Sequence, residues 1–163
     1  MITLHSLEYK KVTFGLGLGS FMVFCNLYYF QPLLPNLMLK FALTELQVNW
    51  LFSSTTLAVA LSLLPWAIVS ELYGRRAVMY LSLLLIPCIN FLMYLSQDYF
   101  SLVILRACLG IALAGFIAVA VAYMAEEFDT QAVLVAVGSY IGANTLGGIS
   151  GRIYGGMLTD FFG

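Results

Sequence analysis

The chain has 163 residues, of which 62% are hydrophobic and only 9% are charged, whereas soluble domains carry about 45–50% apolar and about 25% charged residues. This composition excludes a soluble globular protein and predicts an integral membrane protein whose main partner is the lipid bilayer. The net charge of −1 gives no indication of nucleic-acid binding. The three cysteines form no CxxC pair or metal-ligand spacing, so we expect no metal and no cofactor.

Charged residues divide the chain into five apolar runs, each long enough to cross a bilayer, for which roughly 20 residues are needed. The first run is too long for a signal-peptide core and has no cleavage pattern, so we interpret it as a retained helix. Thr44 and Gln47 before the second run predict a capping box, and short connections predict antiparallel neighbours. The sequence therefore predicts an all-α membrane protein with transmembrane helices over residues 12–39, 47–70, 77–96, 99–125 and 130–158.

The distribution of lysine and arginine predicts the orientation. Lys10, Lys11, Arg75 and Arg76 fall on one side of the membrane and Lys40 alone falls on the other. Because basic loops stay in the cytoplasm, we expect a multi-pass protein of the cell (inner) membrane with a cytoplasmic N-terminus. Five spans then leave the C-terminus outside.

Four stretches resemble motifs of the major facilitator superfamily, in the right helix order. The loop after the second span is similar to the signature G-x-L-x-D-R-x-G-R-K/R, with matches at Gly74, Arg75 and Arg76. Glu71 conservatively replaces the aspartate of the signature, and Ala67 and Leu72 depart from it. The end of the first span, residues 26–35, looks like that of drug- and sugar-efflux branches. Arg106 and Gly110 look like the intramembrane motif R-x-x-x-G. Residues 138–156 resemble the glycine-rich antiporter motif, with Ala143 in place of its proline.

The resemblance implies a secondary active transporter of the efflux type that works by alternating access on a small-molecule substrate. The family has twelve helices in two six-helix halves. We therefore expect this chain to be an incomplete N-terminal six-helix bundle, whose partners include the missing C-terminal helices or second half. A small membrane structural or interaction protein is the alternative. An intramembrane enzyme is the weakest hypothesis, since the spans hold no histidine and no acidic pair.

The polar residues of the spans are candidate substrate contacts. Arg106 and Arg152 each lie eight residues from an aspartate at the outer end of their span, so each is about 12 Å deep. No Asp or Glu lies within the predicted spans. The compensating charge is therefore a substrate, a lipid headgroup, an interfacial water defect or an acid in another segment, and snorkelling is an alternative. Interhelical hydrogen bonding is equally open for the amides. The candidate substrate-binding residues are Asn26, Tyr29, Gln31, Arg106, Asn144 and Arg152.

Small residues form a stripe along the fifth span, and such stripes let another helix approach closely. We expect a packing seam there. In a chain of five helices alone, the stripe and both arginines would face lipid or each other. The candidate packing residues are Gly138, Gly142, Gly147, Gly148, Gly151 and Gly155.

Overall fold

The computed structural model describes residues 2–4 and 6–162, and nearly all of them are helical. The five predicted spans are present, the first of them as two helices joined by a short 3-10 turn at Gln31–Leu33. The predicted fold class, an all-α protein with five membrane-spanning segments, is confirmed for these residues. The helices are α1 Leu7–Tyr28, α2 Leu34–Lys40, α3 Glu45–Tyr73, α4 Arg75–Leu95, α5 Tyr99–Glu127 and α6 Thr130–Phe162.

The first span is interrupted where the sequence predicts one continuous helix over 12–39. Its α-helix begins at Leu7, where the Ser6 side chain accepts a hydrogen bond from the Tyr9 amide at 3.0 Å. It ends at Tyr28, before a 3-10 turn that contains Pro32. Because proline has no amide hydrogen, it cannot donate to the helical ladder of the preceding turn. The interruption places residues 29–31 outside regular α-helix within a span.

Two predictions about helix ends are confirmed. Thr44 and Gln47 form a reciprocal capping box at the start of α3. Gly74 alone separates α3 from α4, and its φ of 91° lies in the region that side-chain-bearing residues rarely adopt. Glycine therefore permits the abrupt reversal between these two helices.

The most buried helix is α5, and it organises the bundle. It packs against α3 and α4, while α1 packs mainly against α6 and less extensively against α5. Close approach depends on small residues: at Gly110, a Cβ would collide with the Thr55 carbonyl of α3. The Trp66 indole of α3 donates to the Ile111 carbonyl of α5 at 2.8 Å. These contacts hold α3, α4 and α5 together as one side of the bundle.

The glycine stripe of α6 faces α1, and not lipid as expected for five helices alone. A Cβ at Gly151 would lie 2.5 Å from the Cys25 carbonyl oxygen. Gly147 and Gly155, one turn away on either side, approach the α1 backbone in the same way. Gly148 faces the Tyr28 ring, where a Cβ would lie 3.2 Å from the nearest carbon. The α1–α6 contact is therefore backbone against backbone over two turns.

The seam does not include all the glycines of the predicted set. A Cβ at Gly138 or Gly142 would meet nothing within 4 Å among the described residues. Both lie on α6 nearer to its start than the seam does. Their role in packing stays a prediction.

Candidate substrate-binding site

The interruption of the first span gathers several of the predicted polar residues. Asn90 of α4 donates to the Asn26 side-chain oxygen at 2.7 Å and accepts from the Tyr29 hydroxyl at 3.0 Å. The Asn26 amide in turn donates to the Met22 carbonyl at 2.8 Å. These three side chains are half-buried, and each hydrogen-bonds to another of the three. The network ties the end of α1 to α4.

Asn90 is a residue that sequence reasoning missed. It lies in α4 between Ile89 and Phe91, near the C-terminal end of the helix. A lone amide in an otherwise apolar stretch was the available signal, because polar groups in spans are rare and usually find a partner across helices. The structure assigns that partnership to Asn26 and Tyr29 of the first span.

Arg106 of α5 is completely buried. Its Nε donates to the Leu51 carbonyl at 3.2 Å, and its guanidinium carbon lies 4.4 Å above the centre of the Phe30 ring. The two terminal nitrogens have no hydrogen-bond acceptor among the described residues. The expectation that Arg106 of five helices alone would face lipid or Arg152 is therefore not met, because Phe30 covers the guanidinium. The charge is nonetheless only partly compensated.

Arg152 of α6 contacts the same interruption from another helix. Its Nε donates to the Gln31 side-chain oxygen at 2.9 Å, and its guanidinium lies 4.4 Å above the Tyr28 ring. Unlike Arg106, this side chain is exposed. Tyr28 and Phe30, at the end of α1 and in the interruption, thus each pack an aromatic ring on an arginine, Arg152 at the surface and Arg106 inside the bundle.

Asn144 lies apart from this group. Its side-chain oxygen accepts from the Ser20 hydroxyl, and the buried Tyr140 lies one turn away on the same helix. Asn144 is eight residues before Arg152, which corresponds to about 12 Å along α6. Of the six predicted substrate contacts, the structure therefore gathers Asn26, Tyr29 and Arg106 around Phe30 and Asn90, pairs Gln31 with Arg152, and separates Asn144.

The predicted loop motif forms an ion-pair cluster with the far end of α5. Arg75 lies 2.7 Å from Glu126 and 3.9 Å from Glu71, and Arg76 lies 3.3 Å from Glu127. The Arg76 side chain also donates to the Tyr123 hydroxyl at 3.2 Å. Both arginines of the motif thus join the α3–α4 reversal to α5, while Gly74 supplies the turn.

The chain has clear relatives among curated proteins. It is 35% identical to the inner membrane transport protein YnfM of Escherichia coli over 95% of this chain and 37% of that protein. It is 33% identical to the uncharacterized MFS-type transporter YybF of Bacillus subtilis, over 94% of this chain and 38% of the relative. It is 26% identical to the multidrug resistance protein Stp of Mycobacterium tuberculosis, over 90% of this chain and 28% of Stp. The chain thus spans little more than a third of the length of the first two of these relatives.

No solved structure matches the chain significantly. A family model, in contrast, matches most of the chain. The family model described as Major Facilitator Superfamily matches residues 16–163, a region that includes the interruption, both arginines of the spans and the loop motif. The predicted resemblance is confirmed, and the chain belongs to the major facilitator superfamily.

Proposed function

We propose that this chain forms the first helices of a secondary active transporter that exports a small molecule by alternating access. The observation that carries the proposal is the buried Arg106, whose terminal nitrogens lack an acceptor in the described residues. A cation in a span costs about 2.5–3.5 kcal/mol on insertion scales, and such residues typically mark substrate or ion pathways. An uncompensated charge beside the polar network of Asn26, Tyr29 and Asn90 is what a substrate site requires.

The interrupted first span supports the same proposal. Substrate sites of secondary transporters are typically built where a helix is discontinuous, because the freed backbone and side chains line a cavity. Residues 29–31 lie at such a point, and they contact Arg106 through Phe30 and Arg152 through Gln31. The relative Stp is named a multidrug resistance protein, which supports export as the direction of transport.

The packing of the helices supports a need for further helices. α5 packs extensively against both α3 and α4, whereas α1 packs extensively against α6 alone among the described helices. An apolar stripe at four-residue intervals on α1 is exposed: Phe14, Leu18 and Met22. We propose that the C-terminal helices or second half of the transporter complete the cavity. The protein would lie in the cell (inner) membrane with its N-terminus in the cytoplasm.

Flux measurements in liposomes test the function. We expect the 163-residue chain alone to give no saturable flux with a panel of sugars, amino acids and lipophilic ions. Joined to the remaining C-terminal part of YnfM, it should give saturable flux of at least one of them. Arg106→Ala should abolish that flux without preventing insertion, and Arg106→Lys should restore it only in part, since lysine lacks the planar fork.

The control variant is Lys40→Ala, which removes an exposed cation at the end of α2 and should keep full flux. Full flux in Arg106→Ala would remove this residue from the site and contradict the proposal. Saturable flux through the chain alone would show that further helices are not needed.

A further inference from the structure

The hydrogen-bonding capacity of Arg106 points to the chemical class of the ligand. A guanidinium has five N–H donors, and in Arg106 only Nε has an acceptor, the Leu51 carbonyl. The terminal nitrogens are buried and lack an acceptor among the described residues. The guanidinium contacts the uncharged Phe30 ring, and Arg106 forms no ion pair with the described residues. The guanidinium edge formed by the two terminal nitrogens is therefore free, and such an edge can donate two parallel hydrogen bonds to a carboxylate.

The Phe30 ring packs on the Arg106 guanidinium, where a negatively charged partner would otherwise be expected. The ring lies 4.4 Å from the Arg106 guanidinium carbon, and the face of an aromatic ring carries partial negative charge. Such a cation–π contact stabilises a guanidinium that is removed from water. Phe30 is only 4% exposed and lies in the turn between α1 and the 3-10 turn that contains Pro32. A residue in such a turn can move without breaking an α-helical ladder.

We propose that Arg106 binds the carboxylate of an organic anion, and that the Phe30 ring shields the guanidinium when the site is empty. This inference rests on the proposed transport function and names its substrate class. An acidic side chain on a further helix is the alternative to a ligand as the group that neutralises Arg106. Such a helix would pack on the outside of the bundle, whereas Arg106 lies inside it and beneath Phe30. A small anion reaches the guanidinium when the turn moves, which favours a solute.

Equilibrium binding tests the proposal separately from flux. The chain joined to the remaining C-terminal part of YnfM is placed in nanodiscs of phosphatidylcholine, and binding of 4-fluorobenzoate and its neutral analogue 4-fluorobenzamide is followed by fluorine NMR. Acetate and acetamide form a second acid–amide pair, and their binding is followed by competition with the fluorinated ligands. We expect the carboxylate to bind about tenfold tighter than the amide, or more, because charge-assisted hydrogen bonds exceed neutral ones by that much. Arg106→Gln should abolish the difference.

Phe30→Leu separates shielding from simple packing. Leucine keeps an apolar group in the turn but has no ring face, so the anion no longer competes with the cation–π contact. We expect the carboxylate to bind about threefold to tenfold tighter, with the amide unchanged. Phe14→Leu removes an exposed ring from the same span and serves as the matched control, without effect on either ligand. Circular dichroism of each variant establishes that it is folded.

Several outcomes overturn the proposal. Equal affinities for acid and amide, or absence of binding for every carboxylate, would exclude an anion site in the folded chain. Loss of the difference in Arg152→Gln but not in Arg106→Gln would assign the anion to the exposed arginine. Loss of the difference in phosphatidylglycerol nanodiscs would assign the site to a lipid headgroup. Flux of neutral solutes only, with no carboxylate binding, would leave the transport function intact and refute the anion.

Discussion

Replacing Gly151 with alanine perturbs the closest contact between α1 and α6. The new Cβ would lie 2.5 Å from the Cys25 carbonyl oxygen, where ordinary contacts begin at 3.4 Å. The helices must therefore separate locally by about 0.9 Å, and both atoms in conflict belong to or adjoin backbone that cannot rotate away. Overpacking of this kind costs about 1–3 kcal/mol.

A second substitution on the same helix isolates that cost. Gly142→Ala adds the same methyl group where nothing lies within 4 Å. Alanine favours a helix over glycine by about 0.8–1.0 kcal/mol at either position, so this gain cancels in the comparison. We expect Gly151→Ala to unfold with a free energy about 2 kcal/mol lower than that of Gly142→Ala.

Titration with sodium dodecyl sulfate in mixed micelles, followed by far-ultraviolet circular dichroism, gives both unfolding free energies. The unfolding free energies of Gly147→Ala and Gly155→Ala should be lowered to a similar extent as that of Gly151→Ala, because all three glycines face the α1 backbone. Unfolding free energies of Gly151→Ala and Gly142→Ala that agree within about 0.5 kcal/mol would refute the backbone-contact argument, since the expected overpacking term is larger.

Three further predictions concern the amide network, the ion-pair cluster and the topology. Asn90→Leu should lower the unfolding free energy by about 0.6–1.7 kcal/mol, the range for interhelical hydrogen bonds in membranes, and an unchanged value would show that the network contributes nothing. For Arg75 and Glu126, a double-mutant cycle in the same assay should give a coupling of about 1 kcal/mol or less, because Glu126 is half exposed; a coupling of several kcal/mol would contradict this. Reporter fusions after Arg76 and after Gly163 should lie on opposite sides of the membrane, and two fusions on the same side would disprove the orientation.

The loop motif was only partly predictable from local sequence. Gly74 was identifiable because a reversal of one residue between two helices requires a backbone conformation that glycine tolerates. The pairing of Arg75 with Glu126 was not identifiable, since the two residues are 51 positions apart. Charge complementarity alone does not select Glu126 over other exposed acids. Only the packing of α4 on α5 brings them together.

The amino-acid sequence by itself determined that the protein spans the membrane, how many spans it has and to which family it belongs. These features follow from local properties, because every span must be an apolar run that satisfies its own backbone hydrogen bonds. The interruption at Pro32 also has a local cause. Its consequence for Arg106 does not, since the sequence shows the depth of a residue along its helix but not which helix covers it.

Tertiary structure alone decided which polar groups and glycines meet. Helical periodicity places Gly147, Gly151 and Gly155 on one face of α6, but only the tertiary structure shows that the α1 backbone occupies this face. In the same way, only the packing of α1 and α3 on α5 buries Arg106 beneath Phe30 and beside the Leu51 carbonyl. The physical reason is that a face of a helix is a local property, whereas the neighbour that occupies the face depends on how the whole bundle packs.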